Sequence, residues 1–81
     1  MIKYVFTVRD SISEGFGNPF VEDDVRIAKA GFHRMCSSLP DGYKPDEFSL
    51  WSLGKFDTLT GEFILDKPTI VTHGRSQSDG N

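Results

Sequence analysis

The chain has 81 residues, with nine Lys or Arg against twelve Asp or Glu, and a net charge of −3. This length predicts one domain, and the acidic balance argues against a protein that coats nucleic acid by bulk electrostatic attraction. Its one cysteine, Cys36, excludes an internal disulfide and a zinc site of cysteines alone, and no stretch approaches the roughly 18 apolar residues of a membrane span.

An alternating segment opens the chain, and a glycine-containing loop follows it. Apolar and polar side chains alternate over residues 2–9, which predicts a half-buried β-strand. The loop over residues 13–18 ends on an Asn-Pro turn signal. We expect Phe16 and Phe20 to anchor this loop on the core, and a short edge strand to form beside Pro19.

The strongest helix pattern comes next. It opens on the carboxylates of residues 22–24, which complement the helix dipole and cap free N–H groups. Pro40 is expected to end it, because proline cannot continue the helical hydrogen bonds. At about 100° per residue, the predicted core-facing residues are Val25, Ala28, Phe32, Met35, Cys36 and Leu39.

The second half of the chain predicts strands and a hairpin. Residues 48–53 form a strand, which Gly54 interrupts with a bulge and Phe56 continues. The hairpin connection ends at Gly61, where a positive φ is needed. The return strand covers residues 62–66, a short further strand covers 69–72, and the polar segment 74–81 is predicted to be a disordered tail.

Together these elements predict an α+β fold in a single domain over residues 1–73. The sheet is expected to be small and mostly antiparallel, with about three to four strands and one helix packed on one face. An open sheet must protect its edges, so we also expect a homodimer that pairs edge to edge or face to face.

Candidate catalytic and metal-binding residues are few. His33 and Cys36 are three positions apart on the helix, but structural metal sites need about four ligands, so we interpret them as a solvated histidine and a buried cysteine. The carboxylate pairs at 23–24 and 46–47 precede regular elements and lack a partner base, which favours a capping role. We therefore expect no enzyme activity, no cofactor and no metal.

Five basic side chains are the candidates for contact with nucleic acid. Three lie on the predicted helix and two on the outer face of the first strand. The alternative is an ordinary solvated surface, the default for charge on an amphipathic helix. Trp51 is the candidate for stacking on a base, with a second apolar cluster or a dimer interface as the alternative. The basic candidates are Arg26, Lys29, Arg34, Lys3 and Arg9.

A pattern of core and turn positions runs through residues 4–66 and is densest over residues 50–63. In chain order it reads Phe6-x-Val8-x-Asp10, Phe16, Pro19-Phe20, Ala28 with Phe32, Phe48-x-Leu50-x-x-Leu53-Gly54-x-Phe56-Asp57 and Gly61-x-Phe63. This pattern resembles the small non-structural protein of gokushovirus-type microviruses, which are single-stranded DNA phages. None of its positions is a chemical signature, because all of them build strands, turns or the core.

The resemblance implies a phage protein that is made in the host bacterial cytoplasm and is absent from the virion shell. It further implies a non-enzymatic accessory of single-stranded DNA genome replication, whose partner is DNA or the replication complex, and it carries over no catalytic residues. The alternative is a homodimeric protein-interaction module that binds a phage or host protein without contacting DNA. The net charge of −3 favours this alternative, whereas the basic residues favour the first interpretation.

Overall fold

The computed structural model describes residues 1–75, which form a five-stranded antiparallel sheet and one α-helix. The strands are β1 (Ile2–Asp10), β2 (Gly15–Phe16), β3 (Phe20–Glu22), β4 (Phe48–Asp57) and β5 (Phe63–His73). The helix α1 spans Val25–Cys36, and a single 3-10 turn spans Pro45–Glu47. The α+β class and the antiparallel sheet are confirmed, while the number of strands exceeds the three to four expected.

The additional strand comes from the edge beside β1. The sheet runs in the order β2-β1-β4-β5, and β3 also pairs with β1. Two short strands therefore share one edge, Phe16 pairing with Arg9 and Phe20 with Phe6. Pro19 separates them because it has no N–H to donate to a ladder. One edge strand was expected here, and the chain makes two.

The core is one cluster of five buried residues drawn from three elements. Phe6 of β1 and Leu50 of β4 contribute side chains that are 1% and 0% exposed. The remaining members come from α1 and lie four residues apart along one side of it, namely Ala28, Phe32 and Cys36. Phe20 packs against this cluster, as expected from the sequence, together with Met35 and Phe48.

Val25 departs from the predicted core-facing set. It is the first residue of α1 and remains 43% exposed. A cavity of about 350 Å³ lies at this end of the helix, lined by Val25 together with Tyr4, Phe6 and Ser52. The expectation that Val25 belongs to the core is therefore wrong, because the start of α1 does not close onto the strands.

The helix also ends earlier than Pro40 suggests. Its last residue is Cys36, so Leu39 lies beyond it and is only half-buried. The hydroxyl of Ser37 donates to the carbonyl of His33, and the hydroxyl of Ser38 donates to the carbonyl of Arg34. These bonds satisfy the last free carbonyls and let the chain leave the helix before the proline.

The hairpin of β4 and β5 follows the glycine signals of the sequence. Gly54 has a φ of 139°, and the pairing register shifts on both sides of β4 next to it, which confirms the bulge. A side chain at this position would collide with the carbonyl oxygen of Ile64. Gly61 has a φ of 79°, which confirms the predicted turn conformation.

β5 is one strand of 11 residues rather than two shorter ones. Leu65 pairs with Gly54 and Thr69 pairs with Ser52, so residues 66–68 bulge out between the two paired stretches. The prediction of two strands, over residues 62–66 and 69–72, is therefore wrong. Pro68 and its charged neighbours are unfavourable inside a sheet. They are accommodated because β5 is an edge strand.

The chain remains packed as far as the beginning of the predicted tail. Gly74 is buried, and its N–H donates to the carbonyl of Phe48 at 2.9 Å. The prediction of a disordered segment over 74–81 otherwise lies outside the described residues, which end at residue 75. Within residues 1–75, no helix has the length and apolar character that crossing a membrane requires.

Candidate nucleic-acid interface

Alternation along the central strands divides their side chains between two sides of the sheet. Phe6 and Leu50 point towards α1 and belong to the core cluster. Successive side chains of a strand point to opposite sides of the sheet. Thr7 and Arg9 of β1, and Trp51, which pairs with Thr7, therefore lie on the side away from α1. We refer to the side that carries Thr7, Arg9 and Trp51 as the outer side.

Two aromatic rings and one guanidinium meet on the outer side. The rings of Phe16 and Trp51 are 5.4 Å apart between centroids and nearly perpendicular, with an interplanar angle of 83°. The Cζ atom of Arg9 lies 5.7 Å from the centroid of the Phe16 ring, within the range of a cation–π contact. We call Arg9, Phe16 and Trp51 the aromatic cluster.

Hydrogen bonds fix the surroundings of the aromatic cluster. The indole Nε1 of Trp51 donates to Oγ of the buried Ser49 at 2.8 Å. The hydroxyl of Thr7 donates to the carbonyl of Gly17 at 2.8 Å, next to Phe16. Since the polar atoms have partners, the indole is held in one orientation, and the ring of Phe16 is left as the exposed part of the cluster.

The position of Phe16 corrects a sequence expectation. Phe16 was expected to anchor the loop on the core, but it is 49% exposed and lies beside Arg9. Its place depends on the pairing of β2 with β1, which no periodicity in the sequence reveals. The available signal was indirect, because strand alternation already put Arg9 and Trp51 on the faces opposite the core residues of their strands.

Lys3 occupies the other end of the outer side. It pairs with Phe56 of β4, whose ring lies 4.8 Å from that of Phe63. Its Nζ is 3.0 Å from Oδ1 of Asp23, in an ion pair that is partly exposed. Lys3 is therefore less available to a phosphate than Arg9.

The three helical candidates lie on the solvent-exposed part of α1, away from the outer side. Arg26, Lys29 and Arg34 are all exposed. Nη2 of Arg26 lies 3.5 Å from the carboxylate of Asp24. Within residues 1–75, no carboxylate lies at salt-bridge distance from Lys29 or Arg34, and the same is true of Arg9. The five basic candidates therefore lie on two separate surfaces, the outer side of the sheet and the exposed side of α1, and do not form one continuous basic surface.

The acidic candidates act as caps. Asp24 is the N-cap of α1, and its Oδ1 accepts hydrogen bonds from the N–H groups of Arg26 and Ile27. The bond from Ile27 is the main cause of a lowered pKa of this carboxyl, and the Arg26 backbone bond and charge add to it. Oε1 of Glu47 accepts from the N–H of Lys44 at the 3-10 turn. The predicted capping role is confirmed at Asp24 and Glu47.

The thiol of Cys36 is buried, as predicted. It is 3% exposed, and burial raises its pKa. The ring of His33 is half-buried, with its centroid 5.3 Å from that of Phe32. Among residues 1–75, no group of three or more His, Cys, Asp or Glu side chains is arranged to hold a metal ion.

Comparison with known proteins identifies a family for this chain. The model of the phage ORF5 protein family matches residues 3–77. No curated protein and no solved structure matches the chain significantly. The matched stretch contains α1 and all five strands, except for Ile2, the first residue of β1. It therefore includes the core and all five basic candidates. The chain therefore belongs to the phage ORF5 protein family.

Proposed function

We propose that this phage protein is a non-enzymatic accessory of single-stranded DNA genome replication and that it binds single-stranded DNA through the aromatic cluster. The observation that carries the proposal is the half-exposed ring of Phe16, held against Trp51 with the guanidinium of Arg9 over it. Aromatic rings stack on bases of any sequence and contribute about 1–3 kcal/mol per base. An adjacent guanidinium can bind the phosphate that connects stacked bases.

The biological setting is part of the proposal. Membership of a phage protein family and the resemblance to microviruses, whose genomes are single-stranded DNA, support a role in the host bacterial cytoplasm. A replication accessory needs to hold single strands without regard to sequence. Stacking with a few phosphate contacts has this property, because every base offers a π-face.

Charge sets the expected strength of binding. The net charge of −3 opposes a polyanion, so attraction must be local. Arg9 is the cation of the aromatic cluster, and Lys3 is paired with Asp23. With so few phosphates neutralised, the logarithm of the affinity should fall with the logarithm of salt concentration by only about 0.7 per contact. Binding should therefore be weak, with a modest salt dependence.

The proposal assigns no catalytic step to the chain. Two of the paired carboxylates serve as caps, Asp24 at the start of α1 and Glu47 at the 3-10 turn. The thiol of Cys36 is buried in the core cluster. These contacts support a binding protein, in which side chains hold a ligand and leave it unchanged.

The single tryptophan makes the proposal directly measurable. Trp51 is the only Trp of the chain and lies in the aromatic cluster, so a stacked base should quench its fluorescence. We expect single-stranded oligonucleotides to quench it in low-salt buffer. Phe16→Ala should weaken binding roughly 5- to 150-fold, the equivalent of one stacked base. Tyr43→Ala is the matched control, because Tyr43 is an exposed aromatic residue, 54% exposed, outside the cluster.

A pair of charge changes locates the DNA. Arg9→Gln should weaken binding and reduce its salt dependence, whereas Lys29→Gln on α1 should leave both unchanged. The opposite result, with Lys29 required and Arg9 dispensable, would place the DNA on the helix. A folded protein that binds no single-stranded DNA even at low salt, where electrostatic attraction is strongest, would favour the protein-interaction module instead. The exposed apolar residues of the β4–β5 hairpin are the feature that supports that second candidate.

A further inference from the structure

A second apolar surface lies at the turn end of the β4–β5 hairpin, away from Arg9 and Phe16. The hairpin turn meets the start of β1, where Ile2 pairs with Asp57 and the carbonyl of Met1 accepts the N–H of Thr58. The apolar side chains at this end are between 41% and 85% exposed. We call them the hairpin patch, and they are Met1, Ile2, Leu59, Phe63, Ile64 and Leu65.

The hairpin patch is unusual because it includes both sides of an edge strand. Phe63, Ile64 and Leu65 are consecutive in β5, so Ile64 points to one side of the sheet and its neighbours to the other. All are more than half exposed. In the part of the chain that the structure describes, β5 pairs only with β4, and its outer edge is open. An open edge presents unpaired N–H and C=O groups, and with apolar side chains it is a template for pairing with a strand of another chain.

The remainder of this edge is protected against pairing. Residues 66–68 bulge out of the ladder and contain Asp66, Lys67 and Pro68. Charges, proline and bulges are the features by which natural sheets prevent contact at an edge. Their position in the middle of β5 confines pairing to the segment Phe63 to Leu65.

We propose that β5 pairs with β5 of a second copy of this chain, antiparallel about a two-fold axis at Ile64. This axis puts Phe63 opposite the partner's Leu65 and Ile64 opposite the partner's Ile64. The segment is therefore complementary to itself, as an isologous interface requires. Two five-stranded sheets would join into one continuous sheet, and Phe63, Ile64 and Leu65 would gain apolar cross-strand neighbours on both faces of that sheet.

The size of the hairpin patch fits this occupant. At roughly 150–200 Å² for a large apolar residue, its six members expose on the order of 600 Å². This is at the upper end of the largest apolar patches on monomeric proteins, about 300–600 Å². Phe63, Ile64 and Leu65, which lie on the open edge, supply about half of it. This is less than the roughly 800 Å² that each partner contributes to a standard interface, so the dimer should be weak. Backbone hydrogen bonds between the paired strands add to the apolar contact.

Charge at the ends of the segment gives the interface a distinctive salt response. Glu62 and Asp66 lie two residues before and after Ile64, so the two-fold axis brings Glu62 near the partner's Asp66. Like charges across a strand pair are unfavourable, and salt screens them. Raising the salt concentration should therefore strengthen association, while it weakens DNA binding.

Each dimer would carry two aromatic clusters, which would raise its avidity for a long single strand.

The test is sedimentation velocity on the full chain over a wide range of concentration, at low and high sodium chloride. We expect a species of twice the 9.1 kDa chain mass, with a dissociation constant that falls roughly threefold at high salt. Ile64→Lys and Leu65→Lys should each convert the dimer to monomer. Ile12→Lys is the matched control, because Ile12 is 71% exposed in the β1–β2 connection. Glu62→Gln should tighten the dimer at low salt.

Each outcome bears on the proposal. Edge pairing buries side chains on both sides of β5, so loss of the dimer with only one of the two lysine variants would instead indicate stacking of one face and would overturn edge pairing. A wild-type chain that stays monomeric at its solubility limit, or a dimer that Ile12→Lys disrupts equally, would also overturn it. The Ile64→Lys monomer should still show quenching of Trp51 by DNA. Failure of that quenching would count against the proposed function and leave the dimer unaffected.

Discussion

Replacing Phe32 by alanine tests how α1 is attached to the sheet. Phe32 is 3% exposed and lies in one cluster with Phe6 and Leu50. Removing such a ring typically costs about 3–5 kcal/mol, because the transfer energy is lost and a cavity remains. A domain of this length has a free energy of unfolding of roughly 4–12 kcal/mol. The variant should therefore be close to unfolding, with a melting temperature lowered by about 12–40 °C.

Urea denaturation, followed by the fluorescence of Trp51 and by circular dichroism, measures this effect. Val25→Ala is the control within the same helix, because Val25 is 43% exposed although it belongs to the same apolar pattern. It should cost less than about 1 kcal/mol. If Phe32→Ala were as mild as Val25→Ala, the cluster would not be the contact that holds α1 on the strands.

Two other sites give separate predictions. Gly61→Ala should cost roughly 1–2 kcal/mol, because only its φ of 79° is unfavourable and the new methyl group meets no neighbour. Gly54→Ala should cost more, because its side chain would also strike the carbonyl of Ile64; equal losses in urea denaturation would contradict this difference. The lowered pKa of Asp24 means that its charge stabilises the folded protein above the unfolded pKa, about 4. This stabilisation is lost as the pH falls through the folded pKa, so Asp24→Asn should be less stable than wild type at neutral pH and equal to it in strong acid.

Local chemistry explains which features were predictable from the sequence. The capping role of Asp24, the bulge at Gly54 and the turn at Gly61 depend on one or a few neighbouring residues. The position of Trp51 on the side opposite Leu50 was also predictable, because successive residues of a strand point to opposite sides. Each of these properties is a preference of the backbone or of a short repeat, and tertiary contacts did not override it.

The tertiary structure decided everything that depends on which segments meet. Phe16 lies beside Arg9 only because β2 pairs with β1, and Val25 is exposed only because the start of α1 does not close onto the strands. The two halves of β5 form one strand because an edge tolerates the bulge over residues 66–68. The sequence alone determined the types of element and the candidate basic residues. Only the contacts between distant segments divided those residues between two surfaces and put an aromatic pair beside Arg9.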